Sequence, residues 1–218
     1  MVTENLLHGT RAPKMIEIVK EFTTPIHALE IGSWYGVGST NIWLEFLPEG
    51  STLTLLDLWR PFANDGSDCV QMGDERNVPY DAFLSTINHI KSFELDEQMS
   101  KRNIKVNIVR GDSNPFLSYF NSNMFDFIYI DGDHSYKGSY YDMCEAKRLI
   151  KSNGIICGDD YDSPVSDSNI EELRKHIDNP KAPHHPGLSV AVYEAFGQVN
   201  NSNGFWWVYM KDGKPSLV

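Results

Sequence analysis

Hydrophobic and polar positions follow two alternating periods along this chain, and the periods predict strands alternating with helices. Short apolar runs rich in β-branched and aromatic residues have the length of buried strands. The predicted strands are residues 27–31, 52–56, 106–109, 125–130, 154–158 and 205–210. Between these runs, apolar residues recur three and four positions apart, as they do on one face of a helix. The predicted helices are residues 12–22, 41–47, 80–93, 115–121, 136–151, 169–177 and 188–196, and the β-branched residues of the last segment leave a strand as its alternative.

The alternation continues from residue 26 to about residue 180, which is typical of an α/β protein with a doubly wound parallel sheet. The last predicted strand lies near the C-terminus, and we expect it to join the sheet antiparallel to its neighbour. No repeat or linker marks a second domain. We therefore expect an N-terminal arm and helix over residues 1–25 and a single domain over residues 26–218.

Composition and charge exclude several classes of function. The chain has 218 residues, of which 41% are hydrophobic, and a formal net charge of −11. That charge argues against non-specific binding to nucleic acid or to anionic membranes. No apolar run is long enough to span a bilayer, and the N-terminus lacks the apolar segment of a signal peptide. The three widely spaced cysteines form no zinc or disulfide pattern, so we expect a cytoplasmic protein.

Acidic residues follow two of the predicted core strands directly. Asp131 and His134 come after the strand at 125–130, and Asp159 and Asp160 come after the next strand. If these strands are neighbours, the carboxylates meet at one edge of the sheet and repel each other unless a cation or proton intervenes. We therefore predict a hard divalent metal on the three aspartates, although the second pair could simply form a polar turn. His134 could take a proton from a hydroxyl substrate, although a lone histidine is more often structural.

The loop after the first predicted strand contains Gly32, Gly36 and Gly38, which allow tight turns and close approach of a ligand to the backbone. Trp34 occupies the position of the second glycine in the dinucleotide-binding fingerprint, so the loop does not match that motif. Asp57 closes the second predicted strand, where an acidic residue can accept hydrogen bonds from ribose hydroxyls. It could instead cap a helix, but its position favours ribose.

Two further polar pairs have open interpretations. Asp112 and Ser113 follow the third predicted strand and could contact an adenine or cap the short helix that comes next. His184 and His185 lie in a proline-rich loop, and we expect surface residues there, with a substrate lid as the alternative.

Five segments together resemble class I S-adenosylmethionine-dependent methyltransferases. These segments read EIGSWYGVGST, LLDLW, RGDS, DFIYIDGDHSY and GIICGDDYDSP. The closest branch contains small-molecule O-methyltransferases of the macrocin type and cephalosporin-hydroxylase-like proteins. The resemblance covers residues 26–165 and the terminal strand. It implies a Rossmann-like sheet of seven strands, mostly parallel, with one antiparallel strand near the C-terminus.

The resemblance also implies roles for individual residues. S-adenosylmethionine would be held by Glu30, Gly32, Ser33, Trp34, Gly36, Gly38, Ser39, Asp57, Asp112, Ser113 and Asp131. The family's metal ligands match Asp131, Asp159 and Asp160, with magnesium the first expectation. Its general base matches His134, which would act with Asp131 as the catalytic pair.

The expected activity is metal-assisted methylation of a hydroxyl on a small molecule such as a sugar diol or a catechol. Residues 58–80 and 181–187 would shape the acceptor pocket. The alternatives are a non-catalytic methyltransferase fold, a hydroxylase-like enzyme, and an NAD-dependent oxidoreductase, against which the glycine spacing argues. A homo-oligomer is possible from base rates alone.

Overall fold

The computed structural model of the chain describes residues 9–59, 78–177, 179 and 182–217. Most of the predicted N-terminal arm and most of the loop at 58–80 lie outside the described residues. The strands are β1 (His27–Ile31), β2 (Thr52–Asp57), β3 (Lys105–Arg110), β4 (Phe125–Ile130), β5 (Ile150–Gly158), β6 (Asn200–Ser202), β7 (Phe205–Lys211) and β8 (Lys214–Ser216). The helices are α1 (Ala12–Val19), α2 (Ser39–Phe46), α3 (Val78–Leu95), α4 (Ser113–Phe116), α5 (Tyr136–Leu149), α6 (Ile170–Arg174) and α7 (Pro186–Phe196).

All eight strands belong to one sheet, in the order β3-β2-β1-β4-β5-β7-β6, with β8 also paired to β7. Strands β1 to β5 all run parallel to one another, whereas β7 pairs with β5 in the antiparallel direction. The predicted α/β fold with an antiparallel strand near the C-terminus is confirmed. The described residues form eight strands, which is two more than the six apolar runs predict and one more than the seven that the resemblance implies. The apolar pattern missed β6 and β8 because three-residue strands are too short to show a period of two.

The core lies in two layers, one on each face of the sheet. Leu29 and Ile31 of β1 point to the face that α5 and α7 cover, and Ala28 points to the face that α1 and α2 cover. This alternation follows from the pleat of a strand, in which successive side chains point to opposite faces. Because both faces are buried, the central strands read as continuous apolar runs in the sequence.

The end of α5 differs from the prediction. The helix ends at Leu149 rather than at residue 151, and Ile150 already pairs with Phe125 as part of β5. The pairing then shifts register before Phe127 pairs with Ile155. Gly154 lies in this irregular stretch, where a Cβ would come within 2.7 Å of backbone and side-chain atoms. The glycine therefore serves close packing within a bulged strand rather than the end of a helix.

The order of the strands determines where a ligand can bind. Strand β1 lies between β2 and β4. The chain runs outward from β1 through β2 to β3, and it then returns to the other side of β1 to form β4 and β5. Open α/β sheets bind their ligands at the carboxyl ends of the strands beside such a reversal. The loops after β1, β2, β4 and β5 all lie at that edge. Within the described residues, no helix combines the length and the apolar character needed to cross a membrane.

Candidate active site

Asp57 organises the glycine loop that follows β1. One of its carboxylate oxygens, Oδ2, accepts hydrogen bonds from the backbone N–H groups of Ser33 and Trp34, each at 2.8 Å. The other oxygen accepts from the N–H of Trp59 at 2.5 Å. A carboxylate offers about four acceptor positions, so one remains for a further donor. The end of β2 thus holds the loop in place and keeps some capacity to bind a hydroxyl.

The same loop is attached to α3 through the carbonyl groups of Trp34 and Tyr35, the second of which accepts a hydrogen bond from the hydroxyl of Ser85 at 3.1 Å. The carbonyl oxygen of Trp34 accepts hydrogen bonds from the indole N–H of Trp59 and from the hydroxyl of Thr86, both at 2.7 Å. Trp34 has a positive φ of 45°, which is uncommon for a non-glycine residue. The adjoining Gly36 also has positive φ, and a Cβ there would lie 3.0 Å from Thr86. These contacts fix the conformation of the loop. The sequence alone did not reveal that Trp59 and Thr86 hold it in place.

Gly32 brings the loop against the end of β4. Its φ is +86°, and a Cβ at this position would lie 2.0 Å from the carbonyl oxygen of Asp131. Only glycine allows both the left-handed backbone and this close approach. The glycine loop and the acidic edge are therefore in direct contact.

Glu30 lies beneath the start of α2 and is fully buried. Its carboxylate accepts hydrogen bonds from the hydroxyl of Ser39 and, at 2.7 Å, from that of Thr40. Gly38 is the N-cap residue of this helix. The structure thus places Glu30 and Ser39 under the glycine loop, as supports of the helix that begins there.

Asp112 and Ser113 begin α4 after β3. The carboxylate of Asp112 accepts a hydrogen bond from the N–H of Asn114 at 3.1 Å, so this aspartate does cap the helix. Ser113 lies near Asp142 of α5, which is fully buried. Burial raises the pKa of Asp142 to about 7, and Ser113 offsets this only in part. Among the described residues, no donor makes a hydrogen bond of normal geometry to either Asp142 oxygen.

Asp131, His134 and Asp160 meet at the carboxyl ends of β4 and β5. His134 Nε2 lies 3.6 Å from Asp131 Oδ1 and 3.3 Å from Asp160 Oδ2. Burial opposes the charge on His134, but attraction to Asp131 and Asp160 outweighs it and raises the pKa to about 9. Burial also raises the pKa of Asp131, whose other oxygen accepts a hydrogen bond from the Tyr129 hydroxyl at 3.3 Å.

Arg11, which precedes α1, binds the other side of this acidic edge. Its guanidinium nitrogens lie 2.7 Å from Asp159, 2.9 Å from Asp160 Oδ1 and 3.2 Å from Asp162. Its Nε donates to the carbonyl oxygen of Asn203 at 2.8 Å. Partial burial opposes the charge on Arg11, but the carboxylates raise its pKa further. The carboxylates after β5 therefore have a cation of the chain itself beside them.

A magnesium ion on the three predicted ligands suits their chemistry but competes with Arg11 for two of them. The carboxylate oxygens of Asp131, Asp159 and Asp160 are chemically suitable for magnesium. However, Arg11 occupies oxygens of Asp159 and Asp160, so an ion at those positions would have to displace the guanidinium. The structure brings the three aspartates to one edge, where Arg11 pairs with Asp159 and Asp160 and His134 faces Asp131 and Asp160.

His184 is exposed, as expected, whereas His185 is half-buried and lies beside His134. The ring centroid of His185 lies 4.5 Å from that of His134. One donor atom from each of His134, Asp160 and His185 lies within 4.8 Å of the other two, which is a spacing that could hold a metal ion. No local pattern in the sequence indicated this proximity, or that of Arg11, because both depend on how distant segments pack together.

Comparisons with known proteins give one family. Residues 29–161 match the family described as "Methyltransferase domain". That match spans the glycine loop, Asp57, the residues after β3 and both acidic segments. No curated protein matches the sequence of this chain.

Solved structures share the fold at low sequence identity. A proposed O-methyltransferase from Klebsiella pneumoniae has a TM-score of 0.59 and 16% identity over 95% of this chain and 82% of its own. A cofactor-bound protein from MTB has a TM-score of 0.58 and 12% identity over 93% of this chain and 80% of its own. The O-methyltransferase TomG from Streptomyces achromogenes, solved with SAM, has a TM-score of 0.53 and 14% identity, covering 93% and 80%.

Proposed function

Because this chain belongs to the family of methyltransferase domains, we propose that it transfers the methyl group of S-adenosylmethionine to a hydroxyl of a small molecule. The observation that carries the proposal is the contact between two halves of the site. Gly32 joins the loop held by Asp57 to the backbone of Asp131. A cofactor in the loop and an acceptor beside the acidic edge would thus be close neighbours.

On the cofactor side, the proposal uses the rigid loop after β1. Asp57 would offer its remaining acceptor capacity to the ribose hydroxyls. Ser33 and Trp34 would form one wall, and Asp112 and Ser113 would lie near the adenine. Since Asp57 and α3 already hold the loop, cofactor binding would not have to order it, which favours affinity.

On the acceptor side, Asp131 and His134 would remove the proton of the hydroxyl. Methyl transfer from a sulfonium is a displacement, and an alcohol needs to lose its proton to be a good nucleophile. His134 Nε2 and Asp131 Oδ1 lie 3.6 Å apart, which is an ion-pair distance rather than a hydrogen-bond distance. Because the pKa of His134 is about 9, the imidazole would have to lose its own proton before it could accept that of the hydroxyl. A divalent ion, when bound at this edge, would lower the pKa of the acceptor hydroxyl.

We further propose an acceptor with two adjacent hydroxyls, such as a sugar diol or a catechol. Two neighbouring oxygens can chelate one ion, and the acidic edge offers carboxylates for that ion. The proposed location is the cytoplasm, which suits the free thiols of Cys144 and Cys157.

The test is methyl transfer from S-adenosylmethionine to a panel of catechols, sugar diols and their mono-hydroxyl analogues, with and without a chelator. The variant Asp131→Asn should lose turnover by a factor of about 100 or more while it still binds the cofactor. The control Asp167→Asn changes an exposed carboxyl that pairs with Tyr193, and it should be as active as wild type. Cofactor binding without turnover on any acceptor would instead support a non-catalytic binding protein. Equal activity with and without the chelator would exclude the metal.

A further inference from the structure

We propose that the divalent ion of this protein is held by His134, Asp160 and His185, and that it is a later first-row transition ion such as Co²⁺ or Zn²⁺ rather than Mg²⁺. The inference deepens the proposed function and rests on it for the ion's role in methyl transfer.

The three donors are already near ligand spacing. Their atoms lie within 4.8 Å of one another, and His134 Nε2 is 3.3 Å from Asp160 Oδ2. Nitrogen and oxygen ligands lie about 2.0 to 2.2 Å from a bound transition ion, so neighbouring ligand atoms are roughly 3 to 3.5 Å apart. Only small side-chain movements would complete the site. Among the described residues, none makes a hydrogen bond of normal geometry to His134 Nε2, which is buried.

Three different segments hold the donors in place. His134 follows β4, Asp160 follows β5, and His185 precedes α7. Asp160 and His185 both have left-handed backbone, with φ of 58° and 44°. Such conformations cost about 1 kcal/mol or more each and persist where the surrounding structure holds them.

Gly187 packs the start of α7 against the loop that carries His134. A Cβ on this glycine would lie 2.7 Å from the backbone nitrogen of Tyr136 and 3.3 Å from the carbonyl oxygen of His134. The close approach keeps the His185 ring at 4.5 Å from the His134 ring. The packing of the backbone at Gly187 therefore places the two imidazole rings next to each other.

Arg11 separates this donor set from the three-carboxylate set. It contacts Asp159 and the Oδ1 atom of Asp160, whereas His134 faces the Oδ2 atom. An ion on Oδ2 and the two imidazoles can thus bind while Arg11 stays in place. An ion on the Oδ1 atoms of Asp159 and Asp160 could not, because Arg11 contacts both of them.

The donor types select the class of ion. Magnesium prefers oxygen ligands and keeps most of its water, whereas imidazole nitrogen suits the later first-row ions such as Co²⁺ and Zn²⁺ much better. Three protein ligands would leave positions open for the oxygens of an acceptor. With His134 on the ion, Asp131 would be the nearest carboxylate to receive the acceptor's proton.

The experiment titrates the untagged protein with Co²⁺ alone and records the visible absorption bands of the bound ion together with its affinity by calorimetry. The variants are His185→Asn and the matched control His184→Asn. Both histidines have left-handed backbone, which asparagine tolerates, so the two changes carry similar backbone effects. Asp160→Asn and Asp159→Asn form a second matched pair.

We expect His185→Asn and Asp160→Asn to weaken Co²⁺ binding at least tenfold, and His184→Asn and Asp159→Asn to change it less than threefold. A tenfold excess of Mg²⁺ should leave the Co²⁺ bands unchanged. Equal effects of the two histidine variants, or loss of binding in Asp159→Asn alone, would overturn the inference. S-adenosylmethionine is titrated into the same proteins without metal, so a failure of the proposed function is seen separately from a failure of the metal site.

Discussion

The buried carboxyl of Asp142 should make the stability of this protein depend strongly on pH. The side chain is fully buried on α5, and its pKa of about 7 in the folded protein compares with an ordinary value of 3.8. The difference is 7 − 3.8, or about 3, and each unit is worth about 1.4 kcal/mol. Ionised Asp142 therefore costs the folded state about 4 kcal/mol.

The direction of the effect follows from the raised pKa. Between about pH 4 and pH 7, Asp142 is ionised in the unfolded chain but keeps its proton in the folded protein. The folded state binds more protons, so stability falls as the pH rises through this range and levels off above pH 7. Asp142→Asn removes the ionisable group and keeps the shape of the side chain. The variant should be more stable than wild type by about 2 kcal/mol at pH 5 and about 4 kcal/mol at pH 8.

The assay is urea unfolding of wild type, Asp142→Asn and the control Asp212→Asn at several values between pH 5 and pH 8. Asp212 is exposed in the turn between β7 and β8, and its variant should stay within about 0.5 kcal/mol of wild type at every pH. A gap between wild type and Asp142→Asn that does not grow with pH would refute the reasoning. It would mean that this carboxyl is ionised in the folded protein at little cost.

Two further substitutions test the contacts around the site. Gly32→Ala should destabilise the fold by about 3 kcal/mol or more and weaken cofactor binding, because the new Cβ meets the Asp131 carbonyl at 2.0 Å. Gly197 also has a positive φ, of +74°, but no atom within 4 Å of an added Cβ, so Gly197→Ala should cost only about 1 kcal/mol, and equal losses in thermal unfolding would contradict the crowding argument. Arg11→Ala should lower the free energy of unfolding by about 3 kcal/mol, since it removes a counter-charge from buried Asp159. Unchanged urea midpoints in that variant would show that the ion pairs of Arg11 contribute little.

Much of the fold follows from local patterns in the sequence. Strands β1 and β4 begin and end where the apolar runs predict, because both strands are buried on two faces and bounded by polar loops. The resemblance to S-adenosylmethionine-dependent methyltransferases is confirmed by the family match over residues 29–161. The end of α5 was predicted wrongly, since residues 150–153 form a bulged strand that pairs with Phe125. Such pairing depends on a segment about 25 residues away.

The candidate site was predictable only in its outline. Asp131, Asp159 and Asp160 come directly after core strands, so their meeting at one edge follows from a parallel sheet. The positions of Arg11 and His185 do not follow from any local pattern. Arg11 reaches the edge because α1 packs on the sheet, and His185 does so because α7 begins against the loop of His134. The predicted metal ligands and general base remain predictions.

The most direct test of the account is calorimetric titration of S-adenosylmethionine and S-adenosylhomocysteine, each with a divalent ion and with a chelator. We expect both compounds to bind in both conditions, because none of the donors proposed for the ion belongs to the loop that Asp57 holds. Asp57→Ala, which removes three hydrogen bonds from that region, should weaken binding of both compounds by a factor of ten or more. No binding of either compound in either condition would contradict the proposed function.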